Sequence, residues 1–170
     1  MRQGSRDGPL LACRSIDHLS YTVPNLDEAV DFFCRVLGAE ELYRSGGPNS
    51  GNAEGFAERF NTHAGASYKL AKLRLGGAAF ELFEYEAPDL RREPPRNCDA
   101  GGCHFGVVVD DVAAATELLR QQPGVRVLGT PSRIPQDHPL KGRHWIYFLT
   151  PWGLQIELVS ALEDDSSQGK

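Results

Sequence analysis

Two histidines and two glutamates hold matching places in two halves of the chain: His18 and His104, and then Glu81 and Glu157. Each lies in an apolar, strand-like segment, where an unpaired carboxylate would be costly to bury. Imidazole nitrogens and carboxylate oxygens are ligands of divalent metals, and one such ion offsets the charge of two glutamates. The pattern therefore predicts one divalent metal bound by all four side chains. A ligand set without thiolate argues against a structural zinc site and suits Ni, Co, Fe, Mn or a catalytic Zn.

An internal repeat positions these four residues. Segment 17–23 is matched by segment 103–109, and segment 77–83 is matched by segment 153–159. Each half therefore begins with a strand that carries the histidine and ends with a strand that carries the glutamate. Between them, the spacing of apolar residues predicts one helix and two more strands, so that the order β-α-β-β-β occurs twice.

Local signals set the limits of these elements. In the first half, Asn25 or Asp27 can cap the helix and Gly38 ends it, and Gly76-Gly77 marks a tight turn between the last two strands. A short helical turn is expected around 56–60, within a Gly/Asn/Ser-rich insertion over 45–67. The predicted strands are 15–23, 40–43, 68–75, 79–85, 103–109, 125–128, 143–149 and 154–159, and the second helix is 111–121.

The predicted domain organisation follows from the repeat. It comprises a flexible N-terminal segment 1–14, a first βαβββ module 15–86, a linker 87–101, a second βαβββ module 102–160 and a flexible acidic tail 161–170. Neither half is large enough to bury a good core alone, so we expect the two modules to share one.

Composition excludes several classes of function. The net charge of −5 and the lack of a Lys/Arg cluster give no support for nucleic-acid binding. No apolar run approaches the length of a membrane span, and the first residues are too weakly apolar for a signal peptide. The four cysteines show no disulfide or zinc-binding spacing and are expected to be free thiols. We therefore expect a cytoplasmic protein whose partner is a small-molecule substrate.

At these residues the chain resembles the vicinal oxygen chelate superfamily, which includes glyoxalase I, methylmalonyl-CoA epimerase, extradiol dioxygenases, and bleomycin- and fosfomycin-resistance proteins. The resemblance covers about residues 15–160. The motifs that carry it are Asp17-His18-Leu19, Phe80-Glu81-Leu82, Gly102-x-His104-Phe105-Gly106, Thr150-Pro151-x-Gly153 and Ile156-Glu157-Leu158. It implies an α+β fold in which two βαβββ modules form an open, cup-shaped, eight-stranded mixed sheet with the helices on its outer face.

The resemblance also implies a chemistry. His18, Glu81, His104 and Glu157 each match a metal-ligand position, and a complete set of four is similar to the glyoxalase and epimerase branches. These branches imply a lyase or isomerase that moves a proton next to a carbonyl through a metal-bound enediolate. Glu157 is favoured as the catalytic base, and Glu81 is the other catalytic candidate.

Three other functions remain open at this stage. An extradiol-type dioxygenase would use His18, His104 and Glu157 with Fe²⁺, which leaves Glu81 without a role. A non-enzymatic resistance protein would only hold a drug in the cup, although such proteins often lack the ligands that this chain keeps. A metal-dependent thiol transferase is the fourth possibility, and it would form a thiol adduct.

Residues outside the repeat are weaker candidates for the substrate site. Asn61 and His63 lie in the insertion, and Arg74 and Trp145 lie on predicted strands from which they could line a pocket. Core packing for Trp145 and an exposed ion pair for Arg74 are equally compatible with the sequence. A homodimer is possible, and a metal site within one chain is the simpler arrangement.

Overall fold

The computed structural model describes residue 11 and residues 13–162, which form two compact units that divide between Pro88 and Asp89. The predicted segment 1–14 therefore falls largely outside the described residues, as does the tail from residue 163 onward. The exact module and linker boundaries stay predictions.

The first unit has the order βαβββ with a short insertion after its second strand. Its elements are β1 (Leu19–Thr22), α1 (Leu26–Arg35), β2 (Glu40–Gly47), a 3₁₀ turn (Ser50–Asn52), α2 (Phe56–Phe60), β3 (Ser67–Leu75) and β4 (Ala78–Glu86). The strands form one mixed sheet in the order β1-β4-β3-β2, in which β1 runs parallel to β4 and the other pairs are antiparallel.

The second unit repeats this order without the insertion. Its elements are β5 (His104–Val109), α3 (Val112–Arg120), β6 (Arg126–Arg133), β7 (His144–Leu149) and β8 (Gln155–Ser160). The sheet order is β5-β8-β7-β6, and again only the first pair is parallel. In both units, the first strand of the parallel pair directly follows the histidine or begins with it, and it lies beside the strand of the glutamate.

Each helix covers one face of its sheet. In the first unit, Asn25 caps α1 by accepting a hydrogen bond from Glu28 N (3.1 Å), and the helix buries Phe33 against Phe80 of β4. In the second unit, Asp111 caps α3 by accepting a hydrogen bond from Ala114 N. The buried strand residues of the second unit are Ile146, Phe148, Ile156 and Leu158. Because side chains alternate along a strand, the opposite face of each sheet is left for polar residues.

Glu84 ties the start of α1 to the first sheet. Its Oε2 accepts a hydrogen bond from the backbone N–H of Leu26 (2.7 Å), and its Oε1 lies 2.8 Å from Nζ of Lys69. Burial alone would raise the pKa of Glu84, but these two hydrogen bonds outweigh it and lower the pKa below its ordinary value of 4.5. The carboxylate is therefore a stabilising link between helix and sheet at neutral pH.

We expect Glu84→Ala to lower the free energy of unfolding by about 1–3 kcal/mol, because it leaves a backbone N–H of the helix start without its acceptor. Urea unfolding at neutral pH measures this loss. Since the folded-state pKa is lowered, the contribution of Glu84 is present above 4.5 and is lost as the pH falls below that value. The gap between wild type and variant should therefore close in acid; a gap that is constant with pH would contradict this assignment.

The predicted α+β class and the repeated βαβββ order are confirmed. The helical turn predicted around 56–60 is α2, whereas β2 and β6 run several residues longer than the sequence indicated. All four cysteines are free, as expected. Within residues 11 and 13–162, no helix is long and apolar enough to cross a membrane.

Candidate functional site

In the first unit, His18 and Glu81 lie side by side on the sheet face opposite α1. His18 directly precedes β1, and Glu81 sits in the middle of β4, paired with Ser20 across the parallel ladder. Their side chains approach until His18 Nε2 and Glu81 Oε2 are 3.2 Å apart. Side chains alternate along β4, and Phe80 and Leu82 point toward the core. The carboxylate of Glu81, which lies between them, therefore faces away from the helix.

Two further charged residues, Asp17 and Lys72, contact the His18/Glu81 pair. Asp17 Oδ2 lies 2.7 Å from His18 Nδ1, and Lys72, which is opposite Glu81 in the β3–β4 register, places Nζ 3.3 Å from Glu81 Oε1. The hydrogen bond with His18, followed by the charge of Lys72, lowers the pKa of Asp17. Burial alone would lower the pKa of Lys72, but the hydrogen bond and charge of Glu81 raise it overall. Asp17 is therefore a carboxylate and Lys72 an ammonium at neutral pH.

In the second unit, His104 and Glu157 form the corresponding pair. His104 begins β5, and Glu157 lies on β8 opposite Gly106, where a Cβ would be 3.8 Å from Glu157 Oε2. His104 Nε2 and Glu157 Oε2 are 3.6 Å apart. The amide oxygen of Asn97 lies 2.9 Å from His104 Nδ1, and so takes the place that Asp17 has in the first unit.

Tyr147 stands beside this second pair. It is opposite Glu157 in the β7–β8 register, and its hydroxyl lies 3.3 Å from His104 Nε2. Burial, and then the charge of Glu157, raises the pKa of Tyr147, so the phenol is neutral and can donate its hydrogen bond to the ring nitrogen. Trp145 packs edge-on against Tyr147, with ring centroids 5.3 Å apart.

The hydrogen bonds at Nδ1 suit the two histidines to metal binding. A carboxylate or amide oxygen can only accept, so Nδ1 carries a hydrogen and Nε2 is the nitrogen left to bind a metal. In each pair Nε2 faces a carboxylate oxygen, an arrangement that would let one cation contact both groups. Across the described residues, His, Cys, Asp and Glu form no group of three or more placed to hold a metal, so each pair by itself offers two donors.

Of the four weaker candidates for the substrate site, one lies beside a His/Glu pair. Trp145 is on the same sheet face as Glu157, next to Tyr147. Arg74 is exposed and pairs with Glu40 (Nη2 to Oε2, 2.5 Å). Asn61 ends α2 in a left-handed conformation (φ 52°), and His63 is exposed, with its Nδ1 accepting a hydrogen bond from Gly65 N. Within the part of the chain that the structure describes, the hydrogen bonds of His63 and Arg74 go to Gly65 and Glu40 and not to a His/Glu pair.

Sequence reasoning missed Lys72 and Tyr147 as site residues. A signal for Lys72 was present, because the two-residue turn at Gly76-Gly77 fixes the hairpin register and sets Lys72 opposite Glu81. The turn before β8 is longer, and its length alone does not fix the pairing of Tyr147 with Glu157. The sequence therefore predicted the candidate ligand residues but not the side chains that stand beside them.

Comparison with known proteins places the chain in a family. The family model described as the glyoxalase/bleomycin resistance protein/dioxygenase superfamily matches residues 15–158. Over 147 residues, the chain is 49% identical to a 2-epi-5-epi-valiolone epimerase from Actinomyces sp., a match that covers 86% of this chain and 79% of the relative.

Solved structures agree in fold. A glyoxalase family protein from Bacillus cereus superimposes with a TM-score of 0.69 at 18% identity, over 93% of this chain and 98% of the other. A fosfomycin resistance protein from Listeria monocytogenes, complexed with Mn(II) and sulfate ion, gives a TM-score of 0.55 at 19% identity, over 92% and 98% of the two chains. The Mn(II) complex shows that a protein of this fold binds a divalent metal. The chain belongs to the glyoxalase/bleomycin resistance protein/dioxygenase superfamily.

Proposed function

We propose that the protein is a metal-dependent epimerase that inverts a carbon next to the carbonyl of a small hydroxylated ketone, with 2-epi-5-epi-valiolone as the first substrate to test. The identity to the Actinomyces epimerase supports the reaction class and the substrate. The observation that carries the proposal is that a histidine Nε2 faces a glutamate oxygen at equivalent places in both sheets.

The residues proposed to hold the metal are His18, Glu81, His104 and Glu157. Two neutral imidazoles and two carboxylates match the charge and the ligand preference of a divalent ion such as Ni, Co, Zn, Fe or Mn. When bound, the ion would stabilise negative charge on the substrate oxygens next to the reacting carbon. Asp17 and Asn97 would hold the imidazole rings, each through its bond to Nδ1.

Glu157 is proposed as the base that removes the proton from this carbon. Among the described residues no lysine or arginine is paired with Glu157, and Gly106 beside it adds no side chain. Glu81, the other catalytic candidate, has one oxygen engaged by Lys72 and is assigned mainly to metal binding. Proton removal leaves an enediolate-like carbanion; solvent water delivers a proton to its opposite face, and Glu157 releases the proton that it took to solvent, which completes the inversion.

The test is incubation of the purified protein with 2-epi-5-epi-valiolone and Mn²⁺ in D₂O, followed by NMR. We expect the epimer to form with deuterium at the inverted carbon, because solvent delivers the new proton. Protein treated with a chelator, and then passed into metal-free buffer, is the control and should be inactive until Mn²⁺ returns. Consumption of O₂ with a catechol, without epimerisation, would contradict the proposal.

The hydrogen bond between Asn97 and His104 leads to a further prediction. Asn97→Ala should weaken Mn²⁺ binding about 10- to 100-fold, because His104 loses the hydrogen bond that fixes its ring and its tautomer. Calorimetric titration with Mn²⁺ measures the change. Asn97→Asp, which restores an acceptor, should recover most of the affinity, and an unaltered affinity in the alanine variant would remove Asn97 from the site.

A further inference from the structure

Lys72 contacts two carboxylates at once in the first unit. Its Nζ lies 3.3 Å from Glu81 Oε1 and 3.7 Å from Asp17 Oδ2. Both of these residues also contact His18, Asp17 at Nδ1 and Glu81 at Nε2. The four side chains therefore form a closed ring, in which the ammonium group and the imidazole alternate with the two carboxylates.

The Lys72 and Glu81 side of this ring is shielded from solvent, whereas the other side is open. The side chains of Asp17 and His18 are 85% and 37% exposed, and those of Lys72 and Glu81 are 17% and 15% exposed. Charges in such partly buried positions interact more strongly than pairs in open water. The contact is also fixed by secondary structure, because Lys72 and Glu81 are direct partners in the β3–β4 ladder.

The second unit lacks such a lysine at the equivalent place. Tyr147 occupies the position opposite Glu157, and Asn97 replaces the carboxylate that holds the histidine. Glu157 is thus the only charged group in direct contact with His104 among the described residues. In the first unit, the carboxylates of Asp17 and Glu81 and the ammonium of Lys72 sum to a net charge of −1, which is also the charge of Glu157. By offsetting Asp17, Lys72 therefore gives the group around His18 the same net charge as the group around His104.

We propose that Lys72 is a positioning residue: it holds one oxygen of Glu81 and offsets Asp17, so that Glu81 offers only Oε2 on the side of His18. This inference rests on the proposed function, since it concerns the ion that the His/Glu pairs bind. Without Lys72, Glu81 has both oxygens free and the site carries one more negative charge. The ion is then bound more tightly, but it is a weaker Lewis acid with fewer positions open to substrate.

Mn²⁺ titration calorimetry on the metal-free protein tests this. We expect Lys72→Met to bind Mn²⁺ about tenfold more tightly than wild type, the size expected for one unit charge near a divalent ion in a site that water still reaches. Lys72→Arg keeps the charge and should stay near the wild-type affinity. The matched control is Lys69→Met, which removes a similar cross-strand pair, Lys69 with Glu84, on the opposite face of the same strand; its affinity should not change.

Two further readouts separate positioning from a general structural role. In the Co²⁺-loaded protein, the visible spectrum should change in Lys72→Met and remain like wild type in Lys72→Arg, because only the first frees the second oxygen of Glu81. Adding Asp17→Asn to Lys72→Met removes the extra charge and should bring the affinity back toward wild type. The turnover number of Lys72→Met on the epimerase substrate should fall while KM changes little.

Failure of this inference is distinct from failure of the proposed function. A wild-type protein that binds no Mn²⁺ would refute the metal site itself. A wild type that binds Mn²⁺, with Lys72→Met equal to it or weaker and with the same Co²⁺ spectrum, would refute only the role of Lys72. Thermal unfolding of each variant identifies one that does not fold. If Lys72→Met does not fold, the Asp17→Asn single variant still tests the charge dependence, because it removes one negative charge and should weaken Mn²⁺ binding.

Discussion

Glu157→Gln should lower epimerase turnover about 10³-fold, because an amide cannot take the proton that a carboxylate base removes. The amide oxygen can still serve as a ligand, so the variant should keep Mn²⁺ at a raised concentration of the metal. Deuterium exchange into unreacted substrate should disappear with turnover, since both depend on the same proton removal. NMR in D₂O with saturating Mn²⁺ measures exchange and inversion in one sample.

Glu81→Gln is the matched control, because it makes the same change at the equivalent place of the first sheet. We expect its main effect on Mn²⁺ affinity, with most of the activity restored when the metal is in excess. The reverse result, a silent Glu157→Gln and an inactive Glu81→Gln at saturating Mn²⁺, would exchange the two assignments. Full activity in both variants would show that neither carboxylate is the base.

The second large effect is on metal content. If both His/Glu pairs bind one ion, His18→Ala and His104→Ala should each reduce the bound metal from about one ion per chain to none, because two or three donors with one imidazole bind far more weakly than four. Elemental analysis after gel filtration gives the stoichiometry, and activity should fall with it. If each pair held its own ion, the wild type would bind two ions, and either variant would keep one.

Mixing these two inactive variants identifies the source of the donors. If two copies of the chain share each site, a mixed dimer contains one site with both histidines intact, and random mixing restores activity to about a quarter of wild type. If a single chain supplies both pairs, mixing restores nothing. His138→Ala, a substitution of an exposed histidine that accepts a hydrogen bond from Leu140 N, is the control and should keep its metal and its activity.

Much of the site could be predicted because the chain repeats itself. A histidine at the start of a strand and a glutamate inside an apolar strand occur twice, and strand alternation indicated which way each side chain faces. The same reasoning could not separate Glu81 from Glu157, since both strands have the same pattern. Their difference lies in the neighbouring strand, where Lys72 stands opposite Glu81 and Tyr147 opposite Glu157.

The weaker substrate residues illustrate the same limit. Arg74 shares a strand face with Lys72, yet it pairs with Glu40 of β2, an association across strands that are far apart in sequence. The bond from Asn97 to His104 likewise joins an irregular segment to a strand. Contacts of this kind depend on the path of the loop and leave no periodic pattern in the sequence.

Sequence patterns predict the α+β class, the repeated βαβββ order and the four candidate ligand residues, because periodicity and repetition are local properties of a chain. The residues that stand beside those candidate ligands are set in three dimensions, since the pairing of strands brings together side chains that are far apart in sequence. That pairing brought Lys72 to Glu81 and Tyr147 to His104. It therefore made two halves with one pattern chemically unequal.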